Sequence, residues 1–380
     1  MEITQSTWTE EAGWQGDPLT DLPGAQLVLA FGGTSLLKTA SLIQDLRKVY
    51  PAAELLGCST AGEICDVQVS DDSLVVTAIQ FDRTSVVSKK VAIDGEQGSV
   101  AAGQQLARAL DPEDLSHVFV LSDGLSVNGS DLVAGLTAEL PDGVKVTGGL
   151  SGDGDRFQET LVLSGAGAEQ DVVAVVGLYG DSIDVSCASL GGWDMFGPER
   201  LITRSEGSVL YELDGQSALG LYKDYLGEHA DGLPATGLLF PLALRGDDGE
   251  TPVVRTILAV DEEHQSLTFA GDVPEGSYVR LMKANFDRLV DGAAGAAKSC
   301  QDGVAQDGAS PDLAILISCV GRKMILKQRV EEEVEAVREV LGLTTALTGF
   351  YSYGEISPFT PDAKCELHNQ TMTITTITER

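Results

Sequence analysis

The sequence predicts a mixed α/β fold with internal duplication, in which two related domains are built from repeated strand–helix–strand units with mixed sheets. The first observation behind this is a phrase that occurs three times: Gly57-Cys58-Ser59-Thr60-Ala61-Gly62-Glu63, Gly149-Leu150-Ser151-Gly152-Asp153-Gly154-Asp155 and Gly349-Phe350-Tyr351-Ser352-Tyr353-Gly354-Glu355. Each copy closes a segment that reads apolar strand, small-residue turn, helix, apolar strand, so one unit repeats and ends each time in the same kind of loop. The second is length: at 380 residues the chain exceeds the size at which single cores stop growing.

In the first unit, residues 26–31 read as a buried strand, Gly32-Gly33 as a turn and 35–49 as a helix with Leu36, Ile43, Leu46 and Val49 on one face. Pro51 marks the helix end, 54–57 is the returning strand, and 74–81 supplies another. The second unit runs from strand 117–121 through a helix at 131–140 to strand 144–147, with further strands at 160–163 and 172–178. Glycine pairs and Gly197-Pro198 change the texture over 191–205, which places the boundary there. The expected division is a polar segment 1–25, an N-terminal domain 26–195 and a C-terminal domain 206–380.

Beyond the boundary, 208–228 carries apolar residues at broadly helical spacing, broken around Asp214-Gly215, and 253–260, 266–269 and 278–282 read as an antiparallel meander. The third unit has strand 313–320, a turn at Gly321-Arg322-Lys323, and an amphipathic helix 325–341 bearing Leu326, Val330, Val334, Val337 and Leu341 on one face. Gly342 stops that helix, 345–350 returns, and 366–377 is a final strand.

Composition excludes several classes. Lys and Arg number 25 against 58 Asp and Glu, a formal charge of −33 that repels nucleic acid and anionic membrane alike. No stretch approaches the length of a membrane span, and the first residues lack a basic start and apolar run, so a cytoplasmic protein without membrane insertion is expected. The six cysteines form no Cys-x-x-Cys pair and no zinc-spaced cluster, which predicts reduced thiols. There is no nucleophile elbow, His-Glu-x-x-His, phosphate loop or dinucleotide fingerprint, so the sequence predicts neither an enzyme nor a resident cofactor.

In parallel units the loop after each strand lies on the carboxyl edge of the sheet, where backbone donors converge. That edge would gather Cys319, Arg322, Tyr353 and Glu355; Ser59 and Glu63 of the first phrase, Ser151 and Asp153 of the second, and Asn369 complete the candidate ligand contacts. The acids Glu63, Asp155 and Glu355 can hold their loops by accepting backbone hydrogen bonds, or can bind an ammonium or hydroxyl. Arg322 follows an apolar strand and needs a counter-charge, from Glu355 or from an acidic ligand. Cys319 reads as a small core residue or a reactive thiol, and His368 as a structural strand residue or a metal or haem ligand. His117, His229 and His264 read as surface or strand-edge residues.

The stretches 55–64, 148–153, 211–215, 349–356 and 367–371, taken together and in this order, resemble the FIST domain in its N-terminal and C-terminal halves, over almost the whole chain. The resemblance implies a sensory module that binds a small ligand, an amino acid or related metabolite, and signals through a separate partner protein such as a histidine kinase. It also implies an alternative, a haem-binding nitric-oxide sensor acting on a histidine kinase, in which His368 would be the metal ligand.

Overall fold

The computed structural model describes residues 1–17, 19–93, 98–165, 167–245, 252–304, 310–360 and 363–380. The fold is mixed α/β in two domains, as the repeat pattern requires. Three units share one topology. In the first, Leu27–Gly32 and Glu54–Ser59 run parallel, with Thr34–Leu37 and Ala40–Val49 as the crossover, and Leu74–Gln80 lies antiparallel on the other side of the first strand. Leu115–Ser122, Gly129–Glu139, Lys145–Leu150 and Val172–Tyr179 repeat this arrangement, and so do Leu313–Cys319, the helices Val320–Leu326 and Val330–Leu341, Ala346–Ser352 and Met372–Glu379.

The first strands are predominantly apolar because both faces of each sheet are covered. On the inner faces the three sheets meet in one core, where Phe31, Leu121, Ile317 and Phe350 pack together and the Phe31 and Phe350 rings lie 4.8 Å apart. Helices cover the outer faces, with Leu42, Ile43 and Leu46 over the first sheet and Val334, Val337 and Leu341 over the third.

The strand that follows each repeated loop does not stay in its own sheet. Glu63–Cys65 pairs with Ala346–Ser352 of the third unit, Gly354–Pro358 pairs with Lys145–Leu150 of the second, and Val162–Ser164 pairs with Glu54–Ser59 of the first. First feeds third, third feeds second, second feeds first, and the exchange closes into a ring. Strands that precede a unit also pair with its antiparallel member: Glu2–Thr9 with Leu74–Gln80, Ser85–Ala92 with Val172–Tyr179, and Ile183–Leu190 with Met372–Glu379. The ring thus interleaves residues from both sides of the interval 191–205. Between Ile183–Leu190 and the helix Phe286–Val304, an eight-stranded antiparallel sheet that includes Asp194–Glu206, Val209–Leu213 and Tyr278–Lys283 forms a body with its own core around Leu210, Leu219, Phe269 and Leu281.

Several local expectations change. The span 208–228 is a strand, Val209–Leu213, followed by a helix, Ala218–Leu226, because Asp214 and Gly215 take positive φ of 50° and 74° and turn the chain. Residues Gly321-Arg322-Lys323 lie inside a helix rather than a turn. The final strand is two strands, Cys365–His368 and Met372–Glu379, in different sheets, with Gln370 at φ 62° between them. Part of the polar start pairs as a hairpin, Glu2–Thr9 with Gly13–Gly16. The helices Gly98–Ala109 and Phe286–Val304 lie outside the expected elements.

The exchange makes the units mutually dependent. Ile64 is fully buried among third-unit residues that include Leu316, Leu347 and Tyr351. Residues 206–380 expressed alone should therefore lack native chemical-shift dispersion and regain it when residues 1–195 are co-expressed. A well-dispersed spectrum from the isolated segment would contradict the interlocked ring.

Candidate functional site

The parallel register explains why each repeated loop starts with glycine. A Cβ at Gly57 would lie 1.9 Å from the Ala30 carbonyl oxygen, one at Gly148 1.8 Å from that of Val120, and one at Gly349 1.8 Å from that of Leu316. These three glycines are the equivalent positions, so the second phrase begins at Gly148, one residue earlier than the sequence pattern suggests. Thr60, Ser151 and Ser352 then correspond. The position of Glu63 and Glu355 falls on Gly154 in the second copy, and Asp155 is an exposed residue that closes nothing.

The three loops touch one another. Ala61 N donates to Tyr351 O and Tyr351 N to Gly62 O, both at 2.8 Å; Gly152 N donates to Ser59 O at 2.8 Å, and Tyr353 N to Leu150 O at 3.2 Å. In two of them a buried carboxyl fixes the exit. Glu63 accepts from the Thr60 hydroxyl, from Ser73 N at 3.0 Å and from Ser73 Oγ at 2.8 Å. Glu355 accepts from Ser352 Oγ at 2.7 Å, Thr371 N at 3.2 Å and Thr371 Oγ1 at 3.0 Å. Burial outweighs these donors and raises Glu63 to about 7 and Glu355 to about 8.

The second loop is held differently. Asp153 accepts the amides of Phe157, Gln158 and Glu159, each at 2.9 Å, and the Tyr353 hydroxyl. Burial opposes its ionised form, yet those donors together hold its carboxyl below the usual range. The segment Gly154 to Phe157 is thereby pinned, with Phe157 stacked on Tyr353 at a centroid distance of 4.4 Å and an interplanar angle of 13°.

That segment is a wall between two cavities. On one side lies a cavity of about 500 Å³, lined by Glu63, Asp72, Asp155, Arg156, Lys323 and Lys327 among others. Lys323 is spent internally on Ala61 O at 2.8 Å and on Asp71, whereas Arg156 is half exposed and only 3.9 Å from Asp153. On the other side lies a cavity of about 260 Å³ whose lining includes Leu125, Leu150, Phe157, Leu258, Phe269 and Tyr353. Of the expected contacts, the loops thus bring Glu63 to the first cavity and Tyr353 to the second, with Asp153 between them.

Others serve the scaffold. Arg322, expected to meet Glu355 or an acidic ligand, is wholly buried and pairs instead with Glu333 at 2.6 Å, while also donating to Leu289 O at 2.8 Å and to Gly191 O. Glu333 also accepts from Ser318 Oγ at 2.9 Å and Tyr351 OH at 2.6 Å, so the ion pair is internally saturated. The Cys319 thiol is pushed well up by burial, which removes the thiolate a nucleophile needs. Ser59 Oγ accepts from Leu161 N at 2.8 Å, and Ser151 Oγ donates to Ser122 O at 2.9 Å, so both pin strands together. Asn369 is fully buried with both amide atoms unpartnered.

His368 is 1% exposed, its Nε2 lies 2.8 Å from Ser357 O, and burial lowers it to about 4. It lines neither cavity, so the residues here do not fit an axial haem ligand. His117, expected at the surface or at a strand edge, is fully buried beside Thr147 Oγ1 at 3.0 Å and lowered to about 3. No cluster of metal-ligating side chains occurs among the described residues. All six cysteines are free. No helix of the described residues is long and apolar enough to cross a membrane.

Sequence reasoning missed Arg156, Lys327 and Phe157. Lys327 sits at φ 52° where the helix Val320–Leu326 gives way to the next turn, and an uninterrupted helical pattern hides such a break. Phe157 at φ 51° carries no local signal, since a bulky residue is an unusual choice there.

Two outcomes follow for stability. Because Glu63 and Glu355 are raised, the folded state binds more protons than the unfolded one, and stability falls as pH rises through about 8. His117 and His368 are lowered and oppose this only below 6.5, so the window from 6.5 to about 8 isolates the carboxyls. Urea melts there should show a loss on the order of 1 kcal/mol per pH unit, flattened in Glu63→Gln combined with Glu355→Gln; an unchanged slope contradicts the assignment. Arg322→Ala should cost about 3–5 kcal/mol by leaving Glu333 buried and unpaired, and Arg322→Met combined with Glu333→Leu should recover much of that loss.

The FIST N domain matches residues 26–216 and the FIST C domain matches 218–358. An uncharacterized protein of Methanocaldococcus jannaschii is 24% identical over 329 residues, which are 80% of this chain and 62% of that protein, so the chain spans less than two thirds of this relative's length. Among solved structures, a cyanuric acid hydrolase from A. caulinodans aligns over 100% of this chain and 98% of its own at 9% identity, with a TM-score of 0.35 that supports no argument about fold or chemistry. With successive matches to both domains across the three interlocked loops, the chain belongs to the FIST family, whose domains suggest a sensory role in signal transduction.

Proposed function

We propose that the protein senses a small zwitterionic ligand, an amino acid or related metabolite, in the cavity of about 500 Å³ between the first two loops and the helix Val320–Leu326. The observation that carries this reading is the charge distribution. Among the described residues Lys327, Asp72 and Asp155 stand on the lining without an ion pair, and Arg156 has one long contact of 3.9 Å to Asp153, whose carboxylate is already taken up by three amides and the Tyr353 hydroxyl. A ligand carrying both an ammonium and a carboxylate offers each set a partner, and a guanidinium suits bidentate capture of the carboxylate. The volume falls within the range of roughly 300–1,000 Å³ usual for small-molecule sites.

Output then passes to a separate partner protein, for which a histidine kinase is the candidate. The net charge of −33 disfavours a polyanionic partner and favours a cationic docking face on whatever receives the signal. Backbone contacts among all three loops supply a route, because displacement of the Gly154 to Phe157 wall is felt by Asp153 and through it by Tyr353. In the haem alternative His368 would have to leave Ser357 and the core. Its check is a Soret band in protein made with haem available, and loss of that band in His368→Ala.

Calorimetric titration with α-amino acids and with the matching amines tests the main reading. At least one amino acid should bind, its amine should bind at least tenfold more weakly, and Arg156→Ala should weaken the amino acid at least tenfold, a loss of about 1.4 kcal/mol. Absence of heat or stabilisation with every amino acid at millimolar concentration would overturn it.

A further inference from the structure

The smaller cavity differs in kind from the charged one. No Asp, Glu, Lys, Arg or His appears on its lining among the described residues, although the chain carries a formal charge of −33. At about 260 Å³ it lies just below the usual small-molecule range. It is built from both bodies of the fold, with Leu125, Phe157 and Tyr353 from the ring facing Leu258 and Phe269 from the antiparallel sheet. Junctions of this kind are preferred ligand positions.

Its rim is unusually apolar for exposed surface. Leu125 is 44% exposed, Leu258 43% and Phe157 38%, three of the seven large hydrophobic side chains exposed among the described residues, and all three edge this one hollow. Scattered exposed apolar residues need no explanation; a cluster around a concavity does.

Phe157 supplies a second, independent observation. Its φ of 51° is a costly conformation for a bulky side chain. Asp153 and the Tyr353 hydroxyl hold its amide, at 2.9 and 3.3 Å, and the strained backbone keeps the ring flat on Tyr353. A solvent-facing turn gains nothing from such a conformation. A preformed aromatic platform does, because aromatic faces prefer an offset-stacked partner and the pair is already ordered before a ligand arrives.

We propose that this cavity is a second binding site, selective for an uncharged aromatic small molecule that stacks on the Phe157–Tyr353 platform. Hydrogen-bonding groups at the mouth, including the Ser126 and Thr268 hydroxyls, orient a single polar edge of that ligand. The site does not rest on the zwitterion reading, since it shares no lining residue with the charged cavity.

Indole is the probe. Saturation-transfer NMR and calorimetric titration of the full chain should show one indole site with Kd of about 1 mM or tighter. Phe157→Ala and, separately, Leu258→Glu should each weaken it at least tenfold, while both variants, altered at exposed positions, keep the native circular-dichroism spectrum. Tryptamine, a cation that the net charge attracts everywhere, should show no Phe157-dependent site tighter than that of indole. No indole binding, indole binding unchanged in both folded variants, or a tighter Phe157-dependent tryptamine site would each overturn the proposal. Amino-acid titration of the Leu258→Glu protein separates the two readings, because Leu258 borders only the smaller cavity and the amino acid should still bind there.

Discussion

Two buried carboxyl groups decide where the chain leaves one sheet and enters the next. Glu63 and Glu355 each hold a hydroxyl three residues earlier and both polar groups of one residue further on, Ser73 or Thr371. An ionised acid in that position would be costly to bury, and burial has moved both toward the neutral form. With the bends fixed, Glu63–Cys65 and Gly354–Pro358 are delivered in register to sheets that their own units do not own. Everything else about the loops, including the hollows beside them, depends on that delivery.

Much of this was legible in the sequence. Strands buried on both faces announce themselves as continuous apolar runs, and the repeated glycine phrase marks the parallel crossing where a side chain cannot fit. The offset in the second copy was not legible, because Gly148 and Gly149 are equivalent as letters and only the approach to the Val120 carbonyl distinguishes them. The partner of Arg322 was hidden for a related reason. Glu355 stands in the conspicuous phrase, but Glu333 is brought to the guanidinium by a break between two helices that the apolar periodicity runs straight through.

The candidate site was legible in outline and not in detail. Sequence reasoning favoured the loops, and the loops do border both hollows, yet most of the residues it named hold strands together rather than face space. Lining residues such as Arg156, Phe157 and Lys327 owe their positions to backbone conformations that residue type does not advertise. Polar side chains with chemistry worth noticing are often buried as scaffold, and the ones that reach a ligand can be ordinary in type.

The circular handing-on of edge strands has a consequence for how such a chain can evolve. Stacked repeat proteins grow by adding modules at an open end, since each module touches only its neighbours. Here every module both donates a strand and receives one, and the third donation returns to a module already in place. A fourth copy would find the second strand of every parallel pair already matched with a donated strand, and loss of one copy would leave its donor and its recipient without their partners. Growth is therefore confined to insertions between existing modules, which is where the antiparallel body, bracketed by Ile183–Leu190 and Phe286–Val304, resides.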